Sequence, residues 1–555
     1  MKVYKGAILT CDSQNTVAKY LVEQKGRIVY VGDELPEKYA AALECGSGEV
    51  AGEKGGGVGA SAYAAELVDL GGRALIPAFA DTHIHFASYA TFHAGLNVMN
   101  AQSNAEILNM LREFVKTCKD KLVIGFGASP YSVSDGCLVT RRQLDEVCPD
   151  KPLFLVKYDG HACVVNTKLL EKVRKKVQNL RGYHEESGEM NQEAFFAVSD
   201  YVTNSIPILQ LVKNMQKAVD DLAERGIGMI HTVSGVGFTG DLDVDLERWF
   251  AAGLDNGMQI RVFMQTMDVQ KAFKRGMTRI GGCFEAALDG CFGSADAALR
   301  EPYADTSVAG DCCQSGPDYK GVLYYDDERV TEFCKAANRA HMQIEIHAIG
   351  DAAFDQATRA LKAALDDYPR EDHRHAIIHA CLPTAEGIEI CRNYKIQIPV
   401  QSAFIGWAQE PDSYLQQLLG PERAAKLNPL RDFWDAEILL SAGSDGPCTD
   451  PDPIQWIHRA CNHSVSEQSL TVQEALKMCT YNGYYSTFDE GSRGSLELGK
   501  IADMVILSEN PYEMETSRLC ELKAEQLLLG GAPYRKASGS PVGQVVKGLL
   551  KSRKA

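Results

Sequence analysis

The sequence predicts an α/β chain built on a (β/α)8 barrel, and three observations carry that expectation. Apolar strand candidates alternate with helical patterns through the middle of the chain, as a parallel sheet with crossover helices requires. Once an inserted segment is set aside, eight such strands remain, the number that closes a barrel. Side chains able to bind a metal stand at the C-terminal ends of the first, fourth, fifth, sixth and eighth of them. Barrels of this kind build their sites on that rim.

Lys2–Thr10, Ala18–Glu23 and Arg27–Val31 read as short strands, with Lys25–Gly26 as a turn. The glycine-rich stretch 44–59 reads as a mobile excursion before a strand over Glu66–Leu70. Gly494–Leu507 reads as turn plus strand, so both termini are expected to build one small sheet. The barrel strands are placed at Ala74–His83, Gly226–His231, Gln259–Gln265, Gly282–Asp289, Gln343–His347, His375–His379, Lys395–Val400 and Glu437–Ala442. Two further strands, Leu122–Gly127 and Pro152–Lys157, belong to an insertion over about 100–204.

Composition sets limits on function. At 555 residues with 45% apolar and 24% charged residues, the chain can bury a large interior. It has no apolar run of 18 residues, and Asp12–Asn15 cut the opening run too short for a signal-peptide core. A cytoplasmic protein is expected, and 17 cysteines without a Cys-x-x-Cys pair fit a reduced compartment. A net charge of −17 disfavours nucleic acid and anionic membranes, and the basic tail Lys547–Lys554 reads as a solvated end. The expected partner is a small-molecule substrate, and a homodimer is permitted.

The most informative motif is His83-Ile-His85. Side chains at i and i+2 of a strand share a face, so two imidazoles can hold one cation. Glu285, His347, His379 and Asp445 follow at other strand ends. Ligand-type residues from five strands converging on one rim are hard to explain as core packing.

These stretches resemble the amidohydrolase superfamily, specifically the YtcJ-like branch of amidohydrolase family 3. The matching segments are Leu75–Phe86, Tyr158–His161, Gly226–His231, Leu288–Gly293, His347–Asp351, Gly443–Asp445, Leu470–Thr480 and Gly494–Leu507. The resemblance implies a β-sandwich from the two termini (1–72 and 494–555) around a metal-dependent hydrolase barrel (73–493). It also implies one or two divalent metals, zinc being the best match to imidazole and carboxylate ligands. By the family pattern His83, His85 and Asp445 hold the more buried metal, and His347 and His379 the more exposed one. Asp445 also takes the proton of the attacking water.

The chain departs from that pattern at the bridging lysine, which the family carboxylates to a carbamate. Counting back from Asp289–Gly290, that position is Glu285. Glu285 is expected to bridge two metals, to bind one alone, or to orient a histidine. Cys283, one pleat deeper on the same strand face, is a softer alternative ligand or a buried inert thiol. Ala78 and Ile378 stand where the family has glycine and glutamate.

His161, in the inserted segment, resembles a group that contacts substrate or stabilises an oxyanion. Lys157 and Arg374 are basic groups near strand ends that would suit a substrate carboxylate. The implied function is a metal-dependent amidohydrolase acting on a non-peptide carbon–nitrogen bond of a small molecule. A metal-dependent isomerase, decarboxylase or lyase, and a catalytically silent metal-binding relative, are the other readings of the same site.

Overall fold

The computed structural model describes residues 1–45, 64–235, 237–312, 316–537 and 539–552. Most of the glycine-rich stretch 44–59 therefore lies outside the described residues. Six parallel strands, Phe79–Ile84, Ile227–Ser234, Gln259–Met264, Arg279–Ala287, Gln343–Ala348 and Ala376–His379, form one sheet in that order. Ile398–Val400 and Leu440–Ala442 pair beside it. Parallel bridges Ala376–Gln397 and Ile84–Gly446 join the two sheets at both edges. The result is a TIM-barrel-like α/β unit of eight strands, named below as the first to eighth barrel strands.

The strand placed at Ala74–His83 is two strands. Glu66–Pro77 belongs to a separate sheet and Phe79–Ile84 to the barrel. The hand-over occurs at one peptide: the Ala78 amide donates to the Asp503 carbonyl, and the next amide, Phe79, donates to Gly226. Adjacent amides of an extended chain point to opposite sides, so one residue can serve two sheets.

That separate sheet has seven strands, in spatial order Ala532–Pro533, Ala524–Leu529, Met504–Leu507, Glu66–Pro77, Lys2–Leu9, Val17–Gln24 and Arg27–Gly32. Both ends of the chain thus meet in one hydrogen-bonded layer. The main apolar core runs without a break from it into the barrel, joining Ile76, Val505 and Leu529 to Phe79, Ile230 and Ile344.

Between the first and second barrel strands the chain makes a five-stranded sheet, Glu189–Asn191, Ala162–Val165, Leu153–Lys157, Val123–Ala128 and Leu96–Asn97 in spatial order. Two smaller cores lie around it, one on Leu111 and Leu155, the other on Phe154 and Leu169. Of the basic tail, Lys547 and Lys551 are exposed, while the backbone that carries them is ordered. Pro541–Ser552 is a helix packed on Leu242–Gly253, with Gln544 and Gly548 buried. A Cβ on Gly548 would come within 1.7 Å of the Trp249 carbonyl oxygen, so only glycine permits this crossing.

Candidate metal centre

The first barrel strand delivers His83 from inside the sheet, and His85 follows just past its end. Their Nε2 atoms converge on one carboxylate oxygen, Asp445 Oδ1, at 3.2 and 3.3 Å. Asp445 follows the eighth strand, and its position is set by the seam that closes the barrel. The Asp445 amide donates to the His83 carbonyl at 2.8 Å, and the His85 amide to Gly446 at 2.9 Å. Buried Asp81 ties the seam from below, accepting from the Ser444 amide at 2.9 Å and the Ser444 hydroxyl at 2.6 Å.

His347 ends the fifth strand and His379 the sixth, with ring centroids 4.6 Å apart. His379 Nδ1 lies 2.6 Å from Gln401 Oε1, so the amide oxygen accepts its proton and Nε2 is turned to the cluster. Asp289 orders the neighbouring loops, accepting from the amides of Ala298, Ile349 and Gly350 at 2.8 to 3.0 Å. His347 Nδ1 is buried without a hydrogen-bond partner, 3.4 Å from Asp289 Oδ1.

Electrostatics follow from burial. Burial opposes ionisation of Asp445, yet the hydrogen bonds from His83 and His85 prevail and hold its carboxyl well below the usual range. Burial lowers His83 and, with His347 beside it, lowers His379 strongly. Neutral imidazoles facing an ionised carboxylate are the protonation states a divalent cation needs.

Glu285 does not join them. It is exposed, and no potential ligand group among the described residues includes it. Cys283 stands in the cluster instead, its Sγ 3.3 Å from His83 Nε2 and 3.9 Å from His379 Nε2. The expectation that Cys283 and Glu285 share a strand face fails at Phe284, whose φ of 52° is left-handed. The ladder to the fifth strand shifts between Gly282 and Ala287 at the same place. An interruption of this kind cancels the two-residue alternation, so Cys283 stands in the cluster while Glu285, exposed, lines the cavity outside the ligand groups.

The cluster opens into a cavity of ≈ 970 Å³. The five-stranded region supplies much of its wall, including Phe126, His161, Arg181, Phe195 and Phe196, and Phe404 and Trp407 line it as well. His161 is half-buried, and its amide donates to Asp159 Oδ1 at 3.1 Å, fixing the turn. Lys157 is buried and spent within the protein, on Asp159 Oδ2 at 2.9 Å and the Gly293 carbonyl at 3.0 Å. Arg374 precedes the sixth strand at the end opposite His379, bound by Asp372 and Glu490, away from the cavity.

Sequence reasoning missed Gln401 and undervalued Cys283. Gln401 follows the seventh strand, where a polar residue at a barrel rim was the available signal.

A family model described as the amidohydrolase family matches residues 66–534. YtcJ of Bacillus subtilis (strain 168), an amidohydrolase by name, is 24% identical over 492 residues, covering 84% of this chain and 90% of that protein. The N-substituted formamide deformylase of Arthrobacter pascens is 23% identical over 592 residues, covering 97% and 99%. Among solved structures, an uncharacterized metal-dependent hydrolase from Pyrococcus horikoshii OT3 superposes with a TM-score of 0.70 at 23% identity, covering 93% of this chain and 99% of that one. The chain belongs to the amidohydrolase family, and this membership, with a buried histidine–carboxylate cluster at the mouth of the barrel, supports a metal-dependent hydrolase.

Proposed function

We propose that the protein hydrolyses a carbon–nitrogen bond of a small molecule, using water activated at a divalent metal, zinc for preference. The observation that carries this is the convergence of His83 and His85 on Asp445 Oδ1. The fit to a metal is geometric. Nitrogen and oxygen ligands of one tetrahedral zinc, bound at ~2.0–2.2 Å, lie ~3.4 Å apart. The distances of 3.2 and 3.3 Å match that edge length.

His83, His85 and Asp445 would hold one ion and His347 and His379 a second. When bound, such a metal supplies Lewis-acid polarisation and a water of lowered pKa. Asp445 Oδ2, the oxygen not turned to the histidine pair, accepts the water proton and returns it to the leaving nitrogen. His161 faces the same cavity and contacts the substrate or its developing oxyanion. The aromatic walls keep water off the reacting bond and suit a substrate with an apolar portion. Glu285 has no part in this assignment.

The same reading treats the seven-stranded sheet as the family's β-sandwich, residues 1–72 and 494–555, and the five-stranded region as an insertion into a 73–493 barrel. No described helix is long and apolar enough to cross a membrane. We read the protein as cytoplasmic, acting on a small molecule rather than on nucleic acid or membranes, and able to form a homodimer.

Elemental analysis of the purified protein, followed by a screen of formamides, acylated amino acids, cyclic amides and lactones, tests the proposal. Stoichiometric divalent metal is expected. Turnover of at least one amide-type substrate should fall by ~10²–10⁴ in Asp445→Asn. Metal-free protein would overturn the reading, and full turnover by Asp445→Asn would remove the assigned proton transfer.

A further inference from the structure

Cys283 belongs to two ligand groups at once. With His83 and His85 it forms one set of atoms all within 4.8 Å of one another, and with His347 and His379 it forms another. Cys291, Cys381 and Cys448 also line the cavity, and none of them enters such a group. A cysteine that merely packs would be surrounded by apolar atoms. The Cys283 sulfur instead sits against two imidazole Nε2 atoms, at 3.3 and 3.9 Å. Sulfur and nitrogen bound to one tetrahedral zinc, at ~2.3 and ~2.0–2.1 Å, are ~3.6 Å apart, midway between those two distances.

We propose that Cys283 Sγ is a thiolate ligand shared by two metal positions, one walled by His83, His85 and Asp445, the other by His347 and His379. The inference rests on the metal-hydrolase reading above. In charge the replacement is even: one thiolate supplies the single negative charge that a lysine carbamate would. In softness it is not. A thiolate favours zinc over magnesium or manganese, which prefer oxygen.

The backbone is shaped for this role. Gly281 and Gly282 have φ of 106° and 110°, and a Cβ on Gly281 would lie 1.9 Å from the Glu345 carbonyl oxygen. The fourth strand therefore runs close against the fifth just before Cys283. Phe284 then turns the chain, and its ring meets the His85 ring with centroids 5.3 Å apart.

The full-length protein, stripped and reloaded with cobalt(II), provides the test. A sulfur-to-cobalt charge-transfer band in the near ultraviolet is expected, because histidine and carboxylate ligands do not produce one. Cys283→Ser and Cys283→Ala should lose the band and drop from two ions per chain to one or none, while Cys448→Ser and Glu285→Gln keep both. Reloading with zinc should outcompete an excess of magnesium. Two bound metals without a thiolate band in the unaltered protein would overturn the proposal while leaving the hydrolase reading intact, whether or not the variants fold. A band that persists in Cys283→Ala, or a metal lost in Glu285→Gln, would overturn it equally. Protein that binds no metal at all would sink both readings.

Discussion

Gln401 fixes which nitrogen of His379 faces the cluster. Its Oε1 lies 2.6 Å from Nδ1, which holds the proton there and leaves the Nε2 lone pair for a cation. Groups that orient a ligand in this way are worth ~10–100-fold in metal affinity. Gln401→Ala should weaken binding by that factor, read by competition against a chelator of known affinity, with circular dichroism unchanged. Equal affinity in the two proteins would show that packing alone orients the ring.

At the scale of the element, the fourth barrel strand carries the unusual geometry. Gly281→Ala would force a methyl group into the Glu345 carbonyl and demand a φ of 106° from an L residue. A loss of at least ~2 kcal/mol is expected in urea unfolding. Gly276 also has a left-handed φ, 65°, but a Cβ there would meet nothing within 4 Å. The same change at Gly276 should cost only about 1 kcal/mol, so equal losses would rule out the clash as the cause.

This strand also shows where sequence reading stops. The eight barrel strands were legible because buried parallel strands are continuous apolar runs, and the rim histidines and Asp445 were legible because they end those runs. Phe284 was not. A left-handed φ is announced by glycine or asparagine, and a phenylalanine there follows from surrounding structure that no local pattern encodes. The same holds for Ala78, where an unbroken apolar run hides the passage between two sheets. Gln401 is uncharged, and its importance depends wholly on the histidine across from it.

For the whole molecule, stability should depend on pH through Glu247, on the helix Leu242–Gly253 and bonded to Ser234 of the second strand. Burial, and then the nearby Asp243 carboxylate, push its carboxyl up to about 8. An unfolded glutamate releases its proton near ~4.3. Between those values the folded state binds the extra proton, so this contribution is fully present below ~4.3 and declines as pH rises. The decline should approach ~1.4 kcal/mol per pH unit and level off above about 8. Urea midpoints at pH 5 and pH 8 measure it, and Glu247→Gln should reduce the difference. An unchanged difference would assign the slope to other groups.

The closing seam has a consequence for the order of synthesis. Asp81 and Ser444, which set His83 beside Asp445, are separated by 363 positions. At ~5–20 residues per second, a ribosome needs roughly 20–70 s to travel from one to the other. Throughout that interval the emerging polypeptide carries His83 and His85 without Asp445. The set of His83, His85 and Asp445 proposed to hold one ion is therefore completed last, only once the chain beyond the eighth barrel strand has been made.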